Sequence, residues 1–438
     1  LRPCRPSGGR PGTERKLMRT RHLPLLALAA AVPVFASAQA PASGGTSGPI
    51  AITNANVLNI RTGQVTANAV VVVSAGKIDS IGSPPPAGAT TVDARGRFVL
   101  PGLMDAHTHI SDFASARRAL ESGVTTVRSA GVSHYLDVGL RELVRKGALD
   151  GPDVLAAGYH IRPQLAPDAF LSHPALSPFM NGGVTTADAI GQVVRANLAR
   201  GVDWIKTTST ERAGLPQTDP RRQLYTEAEV KVMVDEARST GRPVMAHAHG
   251  EEGALAAVRA GVRSIEHGTY LSDEALTLMK EKGTYLVPTY ATVIDLVEPG
   301  GDYDNPGLHL RGSHMLPRLR ETVERARALG VRIVAGADTG YGPNSVTRIA
   351  HEVAAFVEMG MTPLQALQAA TTVAAELFAI EKSAGAIEPG LDADLIVVER
   401  NPLQNIRTLQ DPLLVMSNGR VAVNRLSFGK TSATEDHR

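Results

Sequence analysis

Residues 98–109 read Phe98-Val99-Leu100-Pro101-Gly102-Leu103-Met104-Asp105-Ala106-His107-Thr108-His109. An apolar run, interrupted by Pro-Gly, leads into an acid and two histidines spaced i, i+2. On a strand, alternate residues point to the same side. His107 and His109 can therefore converge on one ion without bending the backbone. A lone His-x-His pair is weak evidence, because two solvated surface histidines fit it equally well. Its weight depends on what the rest of the chain delivers to the same place.

Downstream, short apolar runs alternate with helical periodicity: 124–128, 154–157, 202–206, 244–246, 263–265, 285–287 and 331–335. Helical stretches such as 226–239 and 272–282 lie between them. With the run around Leu103, this makes eight strand–helix units, close to the ~250 residues a parallel (β/α)8 barrel needs. Two long loops interrupt the pattern, at 159–185 and 291–313. Gly- and Pro-punctuated β runs precede it at 50–57, 69–73, 77–81 and 98–100, and β character returns at 394–398 and 413–423. The expected fold class is α/β. A (β/α)8 TIM-like barrel at 101–384 would be flanked by a discontinuous β-sandwich built from both ends of the chain, 49–100 and 385–426.

The remaining metal-ligand residue types fall where such a barrel would gather them. His247 follows the run 244–246, His267 follows 263–265, Asp338 follows 331–335, and Lys206 closes 202–205. Together with His107 and His109 they occupy the C-terminal strand ends of units one, four, five, six and eight. Active sites of such barrels are built at that rim.

These stretches resemble the amidohydrolase superfamily. The similarity runs through residues 101–109, Ile205-Lys206, Ala246-His247-Ala248-His249-Gly250, Ile265-Glu266-His267-Gly268 and Ala335-Gly336-Ala337-Asp338-Thr339. It continues in the tail Gly390-Leu391-Asp392-Ala393-Asp394-Leu395-Ile396-Val397-Val398, so it spans residues 50 to about 424. The resemblance implies two divalent ions, most often zinc. His107, His109 and Asp338 would hold the first, His247 and His267 the second, and Lys206, carboxylated on its side-chain nitrogen, would bridge both. A free ammonium beside divalent cations is disfavoured, whereas a carbamate is an anionic, bidentate oxygen ligand. His249 is expected behind the ligands, because His247 already fills the matching position.

The implied reaction is amide hydrolysis by a metal-bridging hydroxide, the ions lowering the pKa of a shared water from ~15.7 towards ~7. Asp338 would pass the proton to the departing amine. His160, just past the third strand, is the candidate donor to the tetrahedral oxyanion. Within the superfamily the chain looks most like the branch of imidazolonepropionase-like proteins, Xaa-Pro dipeptidases and ochratoxinases. A small-molecule substrate is implied, a dipeptide or N-acyl amino acid with a free carboxylate. Arg212, Arg221, Arg222 and Tyr225, in the loop after the fourth strand, and Tyr290, after the seventh, are the residues available to grip it. The rival readings are a cyclic-amide or lactone hydrolase or a deaminase on the same barrel, and a non-catalytic scaffold. Lys206 argues against the first and the full ligand set against the second. Similar family members commonly form homo-oligomers.

Charge is unevenly distributed along the chain. The chain of 438 residues is formally +2, but residues 1–38 carry seven basic residues and one acid, and the remainder is −4. With aromatics at 4% and no basic run in the body, nucleic-acid binding is not expected. Residues 18–38 have a basic start, an apolar stretch from Leu23 to Phe35 and Ala36-Ser37-Ala38, the layout of a signal peptide. Residues 1–17 would be an upstream extension. Cleavage would leave a periplasmic or secreted chain with no stable membrane insertion. Cys4, the single cysteine, lies in that extension, so thiol catalysis and thiolate ligands are not expected.

Overall fold

The computed structural model describes residues 48–427. The expected upstream extension (1–17) and expected signal peptide (18–38) lie outside the described residues. The architecture is mixed α/β. The opening strands are β1 (Ile50–Leu58), β2 (Val65–Ser74), β3 (Lys77–Ile81), β4 (Thr90–Asp93) and β5 (Phe98–Pro101). Then come the parallel strands β6 (Leu103–Thr108), β7 (Val124–Ser129), β8 (Asp153–Leu155), β9 (Ile205–Thr208), β10 (Val244–Ala248), β11 (Ser264–His267) and β12 (Tyr285–Val287). The chain closes with β13 (Leu395–Val398), β14 (Leu414–Ser417) and β15 (Arg420–Asn424).

The opening strands β1–β5 and the closing strands β13–β15 form one unit. Its strands join in a single eight-stranded sheet of order β15-β14-β13-β5-β1-β2-β3, with β4 pairing the first half of β1. The sheet wraps around its own core, because the Ile78 N–H of edge strand β3 donates to Leu391 O (2.9 Å), in the segment leading to β13. β13 is buried on both faces: Leu395 and Val397 belong to the sheet's own core, while Ile396 and Val398 face the main core. The period-two alternation of one strand thus fastens the two parts of the molecule together.

The parallel strands form two sheets, β6-β7-β8 and β9 to β12. Every residue of β6, β7, β9, β10, β11 and β12 is buried, as expected of parallel strands covered on both faces. Backbone hydrogen bonds join the sheets at two seams. At one, Ile161 bridges Thr207, its N–H donating to Lys206 O (2.8 Å). At the other, Leu286 N donates to Arg332 O (2.9 Å) and Ala106 N to Ala335 O (3.0 Å). The expected eighth strand, 331–335, forms no ladder and makes only a single bridge, Ile333 to Leu286. The segment is still hydrogen-bonded on both sides, Val334 N donating to Leu286 O (2.9 Å) and Ala335 O accepting from Ala106 N, and the positive φ angles of Asp338 (48°) and Tyr341 (52°) come after it.

A helix follows each unit: Phe113–Glu121, Leu136–Arg145, Ala187–Ala199, Glu227–Arg238, Glu251–Ala260, Asp273–Lys282, Pro306–Leu329 and Ile349–Glu358. Glu227–Arg238 shows why. Thr226 and Glu229 form a reciprocal capping box, and Val230, Met233, Val234 and Ala237 make a buried stripe at i, i+3, i+4, i+7. Fully burying each large apolar side chain contributes ~1.5–3 kcal/mol. Among the described residues no helix is long and apolar enough to cross a membrane.

Candidate metal centre

Two clusters of ligand atoms form at the C-terminal ends of the parallel strands, each with its atoms within 4.8 Å of one another: His107, His109 and Asp338, and His247, His249 and His267. In each ring one nitrogen is engaged from behind, which frees the other. His107 Nδ1 meets Glu266 Oε2 (2.8 Å), and His109 Nδ1 donates to Gly131 O (2.9 Å). Their Nε2 atoms lie 3.4 and 3.1 Å from Asp338 Oδ1. His267 Nδ1 meets Thr289 Oγ1 (2.7 Å), His249 Nδ1 meets Thr269 Oγ1 (2.9 Å), and His247 Nε2 donates to Glu211 O (3.2 Å). Such outer partners fix ring orientation and tautomer for metal binding. The structure brings His249 alongside the other two rings, stacked on His267 at 4.6 Å, nearer than its expected place behind them.

Lys206 sits on β9 with its side chain fully buried, and among the described residues its Nζ has no hydrogen-bond partner. Burial lowers its pKa to about 8, so an appreciable neutral fraction exists near neutrality. Lys206 lines the same cavity as both clusters, and its charge depresses the basicity of His107, His247, His249 and His267 and helps hold Asp338 ionised. A long cationic side chain this deep normally has a carboxylate or carbonyl partner. An orphaned amine among ligand atoms is the donor chemistry expected of a residue completed by carboxylation and divalent ions. The residues present therefore fit a two-ion centre.

Behind the first cluster lies a buried relay. The Arg128 guanidinium, with no solvent exposure, pairs with Glu266 (2.8 Å) and donates to Ala106 O (2.7 Å) and Ser264 Oγ (2.9 Å). Trp204 covers it, 4.5 Å from the ring centroid. Burial opposes ionisation of Glu266, but the Arg128 charge and the His107 contact outweigh it and hold the carboxyl at about 2. Burial likewise opposes ionisation of Asp338, and the neighbouring His107, His109 and Lys206 hold it well below the usual carboxylate range. The backbone is strained at the same place: His267, Thr289 and Asp338 all have positive φ (77°, 50° and 48°). Non-glycine residues persist there only when surrounding contacts enforce it, a recurrent feature of functional sites.

A cavity of about 40 Å³ lies over the clusters, lined also by His160, Arg212, Thr289, Val293, Leu296 and Tyr303. His160 sits against His109, ring centroids 5.6 Å apart. Gly131 makes room for it: a Cβ there would lie 2.1 Å from the His160 ring, and φ is +102°. Of the other residues expected to grip a substrate, the structure brings only Arg212 to the cavity. Arg221 is exposed and paired with Asp219 (2.9 Å), and Arg222 is exposed and paired with Glu211. Tyr225 is buried elsewhere, its hydroxyl donating to Val184 O (2.8 Å), and Tyr290 packs in the main core.

Sequence reasoning missed Arg128, the backing role of Glu266, Tyr303 and Arg162. The last had a readable signal. It stands two residues beyond His160 around the bridged Ile161, so the two belong on one side of an extended segment.

The amidohydrolase family profile matches residues 98–422, and this chain belongs to that family. It is 28% identical to an ochratoxinase of Aspergillus niger over 358 residues, 72% of this chain and 73% of that protein. It is 31% identical to an uncharacterized protein of Mycobacterium tuberculosis over 354 residues, covering 78% and 89%. Among solved structures it is similar to a Xaa-Pro dipeptidase with methionine bound in the active site, with TM-score 0.76, 29% identity, and 85% of this chain and 99% of that one covered. Hydrolase chemistry follows from this membership. Solved relatives of this kind also imply a barrel fold.

Proposed function

We propose that this protein is a binuclear metal-dependent amidase. It would free an amino acid with its carboxylate intact from a dipeptide or N-acyl amino acid, on a closed eight-unit barrel, in the periplasm or outside the cell. One observation carries the reading: two three-ligand clusters and the buried Lys206 line one cavity, and among the described residues Lys206 Nζ has no hydrogen-bond partner. His107, His109 and Asp338 would hold one ion, and His247 and His267, with His249 beside them, the other. Carboxylated Lys206 would bridge the pair. Bound there, zinc or a similar divalent ion supplies an activated water and a Lewis acid for the carbonyl.

The chain's own residues supply the rest. Asp338, held ionised by its cationic surroundings, takes the water's proton on its carboxylate and delivers it to the departing nitrogen, so the leaving group is a neutral amine and not an amide anion. The His160 ring donates to the oxygen that gains charge as the carbonyl becomes tetrahedral. Water adds across the C–N bond, and the products are a carboxylic acid and an amine. Support for the amide bond comes from the similarity to an ochratoxinase and a Xaa-Pro dipeptidase. A release assay on zinc-loaded protein tests it, comparing Xaa-Pro dipeptides, N-acyl amino acids and ochratoxin A, with Asp338→Asn as control. Release of a carboxy-terminal amino acid that Asp338→Asn abolishes is expected. Release from none of them contradicts the amidase reading and points to lactone hydrolysis or deamination.

A further inference from the structure

Beside the metal-site cavity, and sharing His109, His160 and Arg212 with it, lies a second pocket of about 210 Å³. Its remaining walls are Gly131, Val132, Ser133, Tyr159, Arg162 and Ala166. Among the described residues no carboxylate lines it. Arg162 and Arg212 are both half-buried there, and among the described residues neither guanidinium has an ion-pair or hydrogen-bond partner. Neighbouring arginines behave differently: Arg221 and Arg222 are exposed and paired, and Arg311 donates to four backbone carbonyls.

Two like charges held together without a counterion are unfavourable. Burial and the Arg212 charge both lower the basicity of Arg162, and the nearby Asp168 offsets this only in part. An anion entering from solvent relieves that repulsion, and guanidinium forks suit a planar carboxylate better than any other common anion except phosphate. Across the shared residues, the walls that belong only to the metal-site cavity include Val293, Leu296 and Tyr303, which are apolar or aromatic. The two sides therefore differ in character, with cations at one end and apolar surface at the other.

We infer that Arg162 and Arg212 form the carboxylate-binding end of the substrate site. They would orient the scissile amide so that the leaving amino acid lies in the side pocket under His160, and an apolar or aromatic acyl group lies against Val293, Leu296 and Tyr303. The inference deepens the amidase reading and rests on it for the position of the scissile bond, but not for the anion site itself. That separation shapes the test.

Calorimetry on zinc-loaded protein compares L-phenylalanine with L-phenylalaninamide, two probes that differ in the carboxylate alone. The acid should bind at least tenfold more tightly. Arg162→Met and Arg212→Met should each erase most of that preference, while Arg162→Lys retains part of it, and zinc content stays unchanged in all three. Equal affinity for acid and amide, or an unaltered preference in both Met variants, overturns the inference. So does undetectable binding of the acid. Hydrolysis of N-acyl phenylalanine is followed separately. Cleavage with KM unchanged in the Met variants overturns the carboxylate site and leaves the amidase standing. Selective acid binding without any cleavage supports the anion site and contradicts the amidase.

Discussion

The parallel strands present opposite chemistry at their two ends. At the C-terminal ends the cavity over the clusters is only about 40 Å³, yet every ligand-type side chain of the clusters points towards it. At the N-terminal ends a cavity of about 660 Å³, lined by Trp204, Arg242, Arg263 and Lys282, is far larger. Its arginines are spoken for. Arg242 pairs with Asp203 (3.6 Å), and Arg263 lies over the Tyr285 ring at 4.9 Å and donates to Glu376 O (3.0 Å). Arg332 covers Tyr285 as well, at 4.3 Å. Size therefore does not locate the function. Among the described residues, the clustered ligand side chains, the strained ligand backbones, the orphaned Lys206 Nζ and the arginine couple without ion-pair partners do, and they occur together at one end.

Substitutions at the two ends should separate cleanly. Outside the metal-ligand set, the largest effect is expected from His160→Ala, which removes a donor to the developing oxyanion. Turnover should fall ~10²–10³-fold, with zinc content by elemental analysis unchanged. Full turnover in that variant would take His160 out of the chemistry.

A smaller effect concerns acid. Burial pushes His249 down to about 3 from an ordinary 6.5. Between those values the unfolded chain binds the proton and the folded metal-free chain does not. Stability contributed by this ring is thus present above pH 6.5 and lost as pH falls towards 3, by up to ~1.4 kcal/mol per pH unit. Metal-free wild type should accordingly lose Tm on acidification faster than metal-free His249→Gln, read by scanning calorimetry. Parallel curves would mean that the ring is not kept neutral by the fold.

The smallest effect belongs to the other end. Arg242→Ala breaks a partly exposed pair, so stability should change by less than ~1 kcal/mol. Its kcat and KM should match wild type. A kinetic defect there would erase the contrast between the ends.

Much of this was legible because it is local. Period-two and helical patterning marked seven parallel strands and the helices after them, and the ligand residues followed strand ends in the chain itself. The eighth unit, 331–335, lies between β12 and β6 and is hydrogen-bonded to both, but it makes a single bridge and no ladder, which an apolar run alone does not reveal. The sheet assembled from both chain ends was anticipated as a sandwich, but its single hydrogen-bonded path depends on β5 pairing with β13, far apart in sequence. The same distance hid the relay: Arg128 ends a strand that reads as ordinary, and only folding brings it to Glu266 and His107. Among the candidate substrate contacts, loop position could not separate Arg212 from Arg221 and Arg222. Their carboxylate partners decide that, and Arg162 entered only once the loop had a shape.

The central claim is that one active centre is built from both clusters and Lys206. Titrating metal-free protein with zinc while following amino-acid release tests it directly. The account predicts that activity appears only as two ions per chain are bound, and that Lys206→Met binds fewer and stays inactive. Full activity at one ion per chain, or in Lys206→Met, would contradict it.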